Sequence, residues 1–373
     1  MRRNLFAKVA VLAAIALVTG ACQRGGDGGN AGGEGGGEGQ GGRRLLQTVQ
    51  ERGTLRCGVN ETVPGFGFLN PDSGEIEGFD IEFCKAIAAA VLGDAEAHEL
   101  VPVSAEERLS ALRAGNYDVL VRNTTWTSSR DGAEGIAFAH PNFYDGQGMM
   151  VRADDNVGSI TDLDGKSICV TSGTTTELNL ADYAAANKIE LPPVTFEENP
   201  QLQEAFLAGR CDGWTSDISQ LAGIRSQWPE GEGGPEALVI LDEVISKEPL
   251  APAVVDGDSQ WYDVVNWVTL GLVNAEELGI NQGNVQDMAS NPPNPQVANL
   301  LGAPIQDEET GQSAPFDPGL GLDPDFMVNV ISAVGNYGEI FDRTIGPETT
   351  LGLERGINAL WTEGGIQYAP PFR

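Results

Sequence analysis

Apolar and polar positions follow the same order in two stretches of the chain. Residues 111–118 lead into an apolar run and a polar tip at Asn123, and residues 205–212 lead into residues 213–216 and a polar tip at Asp217. Each stretch predicts a helix ending at Ala-Gly, a short turn with an aspartate and a strand, since glycine accepts the positive φ that stops a helix. Ligands of open α/β sheets bind at the carboxyl ends of strands, so the two tips are predicted to face each other across a cleft. The same order is also common in α/β proteins generally, and by itself it indicates only two α/β units.

The apolar and polar pattern of the rest of the chain predicts further helices and strands in both units. Residues 79–91 place their apolar side chains at helical spacing on one stripe, as expected for a helix packed on a sheet. The pairs Ser104 with Glu107 and Thr174 with Glu177 predict capping boxes at two helix starts. Strands are predicted at residues 55–59, 117–121, 167–171 and 194–196, helices at residues 261–278 and 326–341, and an irregular Pro/Asn/Gly-rich insertion at residues 291–324.

The first 22 residues predict a lipoprotein signal peptide. Basic residues at positions 2, 3 and 8 flank an apolar run at residues 9–18, which is too short to span a membrane as a mature helix. The small residues before Cys22 resemble a bacterial lipobox, which would make Cys22 the lipid-modified start of the mature chain. An ordinary cleaved signal with an incidental cysteine is the alternative.

Residues 23–44 predict a flexible tether. Twelve of the twenty residues at positions 23–42 are glycine, and such a segment buries too little apolar surface to offset its ordering entropy. The residues that follow are numerous enough for two domains and contain no second apolar stretch of membrane length, so we expect a soluble body outside the cytoplasm.

The net charge of the chain restricts the classes of possible binding partner, and the number of cysteines indicates an oxidising compartment. The net charge of −32 argues against nucleic acid and acidic lipid head groups as partners. Four internal cysteines remain after Cys22, and an even number in an exported chain favours disulfides. These cysteines are Cys57, Cys84, Cys169 and Cys211. Pairing nearest neighbours along the chain is the simplest of the three possible connectivities, and four buried free thiols are the alternative.

The sequence offers little for catalysis or metal binding. The chain has two histidines, His98 and His140, no side chains at metal-ligand spacing and no G-x-S-x-G nucleophile elbow. We therefore expect no enzyme activity, no metal and no cofactor.

The polar residues instead suit recognition of a zwitterion. Arg130 follows a hydroxyl-rich strand end, and its guanidinium matches a carboxylate with two parallel hydrogen bonds. The amides of Gly173, Thr174 and Thr175, at a helix N-terminus, favour the same carboxylate. Asp217 offers a partner to an ammonium. Each residue alone has an ordinary alternative as a surface ion pair, a helix cap or a turn.

Longer runs identify a family. GFDIEFCKAIA at residues 78–88 resembles the signature of the family 3 extracellular solute-binding proteins of ABC importers, and the chain is most similar to the general L-amino-acid-binding proteins among them. Further matching runs lie at residues 57–60, 122–126, 144–148, 173–180, 244–250, 274–279, 333–341 and 368–373. The resemblance covers essentially everything after the tether except residues 303–321.

The resemblance implies a fold and a function. It implies an α/β, two-lobed fold of the type II periplasmic-binding-protein kind, in which each lobe is a sheet flanked by helices and two crossing strands act as a hinge. Lobe one is expected at residues 45–150 with 252–373, and lobe two at residues 151–251. The implied function is capture of L-amino acids with broad specificity in the periplasm or at the outer face of the cell membrane, lipid-anchored, and delivery to the membrane permease subunits of an ABC importer.

The resemblance also implies a binding site. Arg130, helped by Thr175, is expected to bind the ligand α-carboxylate and Asp217 the α-ammonium, and residues 60–68 usually supply an aromatic lid, from Phe66 or Phe68. The residues expected to bind ligand are Asn60, Phe66, Asn123, Thr125, Arg130, Gly173, Thr174, Thr175 and Asp217.

Two other functions fit the same scaffold. One is an enzyme, such as a dehydratase of an amino-acid-like acid, for which Glu61 and Glu177 are the nearest candidates for a general acid. The other is an amino-acid sensor domain that signals through a partner.

Overall fold

The computed structural model describes residues 45–306 and 313–373, so the predicted signal peptide, Cys22 and the tether lie outside the described residues. The α-helices are α1 Leu45–Arg52, α2 Phe79–Leu92, α3 Arg108–Arg113, α4 Ser128–Ala133, α5 Thr175–Asn187, α6 Asn199–Leu207, α7 Ile218–Ser226, α8 Ser259–Glu277, α9 Val285–Ser290, α10 Pro295–Leu300, α11 Phe326–Val334 and α12 Tyr337–Thr344. The strands are β1 Leu55–Val59, β2 Thr62–Val63, β3 Gly67–Leu69, β4 Ile76–Glu77, β5 His98–Pro102, β6 Val119–Leu120, β7 Ile136–Phe138, β8 Phe143–Asp145, β9 Gln147–Arg152, β10 Ile168–Thr171, β11 Pro193–Phe196, β12 Gly213–Asp217, β13 Leu238–Ile240, β14 Glu248–Leu250, β15 Ala253–Val255, β16 Ile305–Gln306 and β17 Ser313–Ala314.

Two five-stranded sheets have matching topologies. The first sheet has the order β5-β1-β6-β15-β7, with β1 parallel to β5 and β6 and with β15 antiparallel to β6 and β7. The second has the order β11-β10-β12-β9-β13, with β10 parallel to β11 and β12 and with β9 antiparallel to β12 and β13. The strands that lead to the two predicted polar tips, β6 and β12, therefore occupy the same third place in each sheet.

A pair of crossing strands connects the two sheets. β8 and β14 pair antiparallel from Phe143 opposite Leu250 to Asp145 opposite Glu248. We call the part of the fold built on the first sheet lobe one and the part built on the second lobe two, with β8 and β14 as the hinge. The division of the chain expected from the sequence remains our proposal; β9 pairs with β12 from Gln147 onward.

Local sequence explains the main helix of lobe one. Gly78 precedes α2 with a φ of 132°, a conformation that glycine accepts, and a Cβ there would lie 2.5 Å from the carbonyl oxygen of Phe66. Gly93 ends the helix with a φ of 72°. The apolar stripe predicted for residues 79–91 is buried against the sheet.

Each lobe contains one disulfide. Cys57 of β1 is bonded to Cys84 of α2, and Cys169 of β10 is bonded to Cys211, which lies two residues before β12. This is the nearest-neighbour connectivity among the three that the sequence allows.

The structure corrects two expectations in the C-terminal third. The single helix expected at residues 326–341 is two helices, because Gly335 has a φ of 75° and Asn336 forms a capping box with Glu339 that starts α12. The insertion expected to be irregular contains α10, which is capped by Asn294, and the short antiparallel pair β16–β17.

Within the described ranges, no helix combines the length and the apolar composition needed to cross a membrane. The same residues contain no group of three or more His, Cys, Asp or Glu side chains arranged to hold a metal ion.

Candidate functional site

A small cavity lies between the carboxyl ends of the strands of the two sheets. Its volume is about 30 Å³. Lobe one contributes Asn60, Ala105, Arg108, Arg122, Asn123 and Thr125, and lobe two contributes Thr171, Thr174, Thr175, Thr176, Glu198, Asn199, Ser216, Asp217 and Gln220.

Direct contacts across the cavity show that the lobes are closed on each other. The hydroxyl oxygens of Thr125 and Thr175 are 3.2 Å apart. The Asn123 amide donates to Gln220 Oε1 at 3.4 Å. Near the rim, a hydrogen bond of 3.2 Å from the Asn199 amide to the hydroxyl of Thr62 closes a third bridge.

Glu248, on hinge strand β14, joins both lobes through two residues that line the cavity, Thr125 and Thr175. Its Oε2 accepts hydrogen bonds from the hydroxyl of Thr125 at 2.6 Å and from that of Thr175 at 2.8 Å, and its Oε1 accepts from Asn179 at 2.8 Å and from Ser246. Sequence reasoning missed this residue, because nothing local to residues 246–250 distinguishes it from a surface glutamate.

Asn60 and Asn123 form a linked pair on the lobe-one side. The Asn60 amide donates to Asn123 Oδ1 at 3.1 Å, and Asn123 has a positive φ of 30°. Asp80, at the start of α2, holds this turn by accepting the Asn123 backbone N–H at 2.7 Å. Burial raises the pKa of Asp80 to about 6, against the opposing effect of its hydrogen bonds to Asn123 and Asn142.

Arg130 lies immediately behind the wall of the cavity. It belongs to α4, which Thr127 caps, and its guanidinium donates to the carbonyl oxygen of Thr125 at 2.8 Å. Burial lowers the pKa of Arg130, while the nearby carboxylates of Glu248 and Asp217 oppose that shift. The expected carboxylate partner is therefore buried, positively charged and fixed beside a lining residue.

The N-terminus of α5 presents its amides to the cavity in part. The Thr174 hydroxyl caps the helix by accepting from the Glu177 backbone N–H at 3.1 Å. The carboxylate of Glu177 accepts from the Gly173 N–H at 3.0 Å, so the predicted capping box is only half formed and the Gly173 amide is already engaged. The N–H groups of Thr174 and Thr175 have no acceptor among the described residues and remain available to an anion.

Asp217, at the end of β12 and the start of α7, is a buried acid with 7% of its surface exposed. Burial raises its pKa well above the usual range, with further contributions from the carboxylates of Asp145 and Glu248, while Arg108 and Arg130 act in the opposite direction. A cationic group in the cavity would favour its ionised form, so the residue suits an ammonium partner.

Two further arginines line the cavity, and sequence reasoning missed both. Arg122 donates through Nε to the carbonyl oxygen of Val103 at 2.6 Å, and burial lowers its pKa to about 10 while Glu198 opposes the shift. Arg108 is 4% exposed, and its buried Nε has no acceptor. The available signal was that Arg108, Arg122 and Arg130 stand at the starts or ends of elements that the predicted helix and strand direct toward one end of the sheet.

The structure does not bring Phe66 to the cavity. Its side chain is 1% exposed and packs in the lobe-one core, with its ring centroid 5.7 Å from that of Phe79 and 5.2 Å from that of Phe143. In this structure Phe66 does not make the expected contact with ligand, because its ring fills the lobe-one core. The neighbouring Phe68 lines a separate depression at the mouth of the cleft.

Comparison with known proteins identifies the family of the chain. Residues 55–282 match the family described as bacterial extracellular solute-binding proteins, family 3. The chain is 50% identical over 329 residues to the general L-amino acid-binding periplasmic protein of Rhizobium johnstonii, covering 88% of this chain and 92% of that protein. It is 47% identical over 330 residues to the glutamate/glutamine/aspartate/asparagine-binding protein of Rhodobacter capsulatus, covering 88% and 93%.

A solved structure shares the whole fold. The ABC transporter/periplasmic binding protein from Brucella ovis with glutathione bound superimposes with a TM-score of 0.82 at 45% identity, covering 89% of this chain and 100% of that one. The type II two-lobed architecture expected from the sequence is thereby confirmed.

Proposed function

The chain belongs to the family 3 bacterial extracellular solute-binding proteins, and on that basis we propose that it captures L-amino acids outside the cytoplasm and delivers them to an ABC-type permease. The observation that carries the proposal is a closed interlobe cavity walled by buried charges of both signs. The relatives whose names describe amino-acid binding match nearly the full length of the chain, which supports the same function and a periplasmic location.

The proposed site divides the common part of an amino acid between opposite charges. Arg130, the amides of Thr174 and Thr175 and the positive end of α5 would bind the α-carboxylate. Asp217 would bind the α-ammonium. Because these groups recognise atoms that every α-amino acid has, the arrangement favours broad specificity.

Closure would follow from the division of the site between the lobes. Arg130 and Asn123 belong to lobe one, whereas Asp217 and the N-terminus of α5 belong to lobe two. A ligand that contacts both sets binds the closed form better than the open form, and only such a difference in affinity shifts the equilibrium toward closure. The bridges from Thr125 and Thr175 to Glu248 would then complete the form that a permease recognises.

Isothermal titration of the purified protein with the twenty L-amino acids tests this function. We expect saturable binding of several of them with a stoichiometry of one. Binding of none would refute the proposal. Turnover of an amino-acid-like acid would favour the enzyme instead, although neither Glu61 nor Glu177 is among the residues that line the cavity.

We further propose that the chain is attached to a membrane through a lipid on Cys22. The signal-peptide pattern before Cys22 and the glycine-rich residues that follow support a tethered arrangement. Intact-mass measurement of the protein from cells should show a diacylglycerol-modified N-terminal cysteine, and Cys22→Ser should release the protein in soluble form. A soluble, unmodified wild-type protein would refute the anchor.

A further inference from the structure

Asn358, close to the C-terminus, bonds to hinge strand β8 through both ends of its side-chain amide. Its Oδ1 accepts the backbone N–H of Tyr144 at 2.7 Å, and its Nδ2 donates to the backbone carbonyl oxygen of the same residue at 2.9 Å. A carboxamide offers an acceptor and a donor, as a peptide group does, so it can take the place of a neighbouring strand. The Asn358 side chain is buried, and the residue is not among those that line the cavity.

The position of Tyr144 in the hinge explains why it needs such a partner. It lies opposite Pro249 of β14, which has no N–H to donate. The carbonyl oxygen of Pro249 accepts instead from the backbone N–H of Trp126 at 2.8 Å. The two residues therefore form a pair without mutual hydrogen bonds, and the backbone groups of Tyr144 point away from β14. Each hinge strand is thus bonded along its outer edge to lobe one, β14 through Trp126 and β8 through Asn358.

Asn358 is itself fixed to helices of lobe one. Its carbonyl oxygen accepts from the guanidinium of Arg355 at 3.1 Å, and that guanidinium forms a two-pronged ion pair with Glu276 of α8 at 2.9 and 3.1 Å. The same guanidinium lies 5.0 Å from the ring centroids of Tyr337 and Phe341 in α12. Asn358 is therefore attached to a network of buried and half-buried side chains, which limits its own motion.

A second contact fastens the chain two residues before Tyr144. The buried side chain of Gln367 donates to the hydroxyl of Tyr337 at 3.2 Å, and this hydroxyl donates to the carbonyl oxygen of Asn142 at 2.9 Å. We call residues 355–367 the brace. It holds the approach to β8 at two alternate residues, which lie on the same side of an extended chain.

The chain passes to lobe two immediately after Tyr144. The carbonyl oxygen of Gly146 accepts the backbone N–H of Ile218 in α7 at 2.8 Å, and the carboxylate of Asp145 accepts that of Ser219 at 3.3 Å. In this strand, only the backbone of Asp145 lies between a residue fastened to lobe one and a residue fastened to lobe two.

We propose that Asn358 is a positioning residue for closure, which fastens β8 to lobe one and confines rotation in this strand to the backbone around Asp145. The inference rests on the proposed function and adds a determinant of closure that lies outside the cavity and outside residues 55–282, the stretch that matches the family. Without the contact, Tyr144 would move freely in the open form and would have to be ordered on closure, at a cost in conformational entropy.

The substitution Asn358→Leu keeps the approximate size of the side chain and removes its donor and acceptor. Amide hydrogen exchange of the ligand-free protein measures the fastening. The N–H of Tyr144 should exchange about tenfold faster, the factor that corresponds to one net hydrogen bond. Isothermal titration measures the effect on closure. The affinity for all L-amino acids should fall together by about 5- to 30-fold, the factor that corresponds to ordering the backbone of one further residue.

The matched control is Asn299→Leu. The amide of Asn299 donates to the carbonyl oxygen of Phe372 at 2.9 Å, so its loss also releases the C-terminal segment at one point. The ring of Phe372 packs on Trp267 and Phe326 and not on the hinge. This variant should leave the exchange of Tyr144 and all affinities unchanged.

Each outcome decides for or against the inference. Faster exchange of Tyr144 with wild-type affinity would overturn it and leave Asn358 a purely structural contact. Unchanged exchange would overturn it too, as would an equal loss of affinity in Asn299→Leu, which would indicate general loosening of the C-terminal segment. A wild type that binds no amino acid would refute the proposed function and, with it, the inference, whereas the other outcomes leave the function intact. If Asn358→Leu does not fold, Asn358→Ala, which adds no bulk, decides by the same two measurements.

Discussion

Gly223 lies where the two lobes meet, so a larger side chain there is expected to hinder closure. It lies inside α7 of lobe two, buried and without a positive φ, so the helix itself does not require glycine there. A Cβ at this position would lie 2.6 Å from the carbonyl oxygen of Pro64 in lobe one. Ordinary contact begins near 3.4 Å, so the substitution Gly223→Ala forces the lobes apart or displaces a backbone segment by about 0.8 Å.

The expected free-energy changes of Gly223→Ala have opposite effects on the stability of the fold and on the affinity for ligand. Alanine in place of glycine inside a helix stabilises it by up to about 1 kcal/mol, and this gain applies equally to the open and the closed form. Overpacking typically costs about 1–3 kcal/mol and arises here only in the closed form. The affinity for every ligand should therefore fall about 5- to 150-fold, since about 1.4 kcal/mol corresponds to tenfold.

Titration calorimetry with several amino acids measures the loss of affinity, and thermal unfolding without ligand measures the stability. Gly132→Ala is the matched control, because Gly132 is a glycine in α4 whose Cβ would meet nothing within 4 Å. Wild-type affinity in Gly223→Ala would refute the role of this contact in closure. A variant that loses affinity together with thermal stability would show instead that the substitution damages lobe two itself.

Four further predictions concern the site and the covalent framework. Arg130→Ala should weaken the binding of all L-amino acids together, by a factor of tens to thousands, since loss of a buried charge partner costs about 2–5 kcal/mol; wild-type affinity by calorimetry would contradict it. Asp217→Asn should also weaken the binding of all ligands, and a loss confined to one side-chain class would place Asp217 elsewhere in the site. Because burial raises the pKa of Asp217, the affinity of the wild type should fall as the pH is lowered through that pKa, since the carboxylate that pairs with the ammonium is then lost. Several polar and aliphatic L-amino acids should bind within roughly tenfold of one another and D-enantiomers far more weakly, which a thousandfold preference for one ligand would contradict. Mass mapping of the unreduced protein should recover both internal disulfides, and alkylation of all four thiols without reduction would refute them.

The parts of the fold that the sequence predicts are those set by local chemistry. Gly115 and Gly209 stop the two corresponding helices with φ values of 73° and 69°, as the Ala-Gly pattern indicates. The strand predicted at residues 55–59 is β1, and the stripe at residues 79–91 forms the buried face of α2. In each case the deciding interactions lie within a few residues of each other.

The parts that sequence reasoning missed depend on distant neighbours. Glu248 joins the two lobes only because closure brings two distant residues to it: Thr125, which is 123 residues away in the sequence, and Thr175, which is 73 residues away. Arg108 is identified as a lining residue only by its buried position beside the cavity, which a helical pattern does not reveal. Phe66 shows the converse case, since the ring of an aromatic residue in a predicted binding loop packs in the core of this structure.

The energetics of closure follow from where the apolar cores lie. The buried apolar clusters of the described residues each belong to one lobe, and none spans the cleft. The lobes meet instead through hydrogen bonds such as those of Thr125 and Asn123, each worth only about 0.5–1.5 kcal/mol net. The hinge adds one acid whose charge is unfavourable in this setting: burial raises the pKa of Asp145 to about 6, and the charge of Glu248 adds to that shift. An interface held by a few such bonds is close to balanced between open and closed, so the differential binding energy of one small ligand is large enough to decide between them.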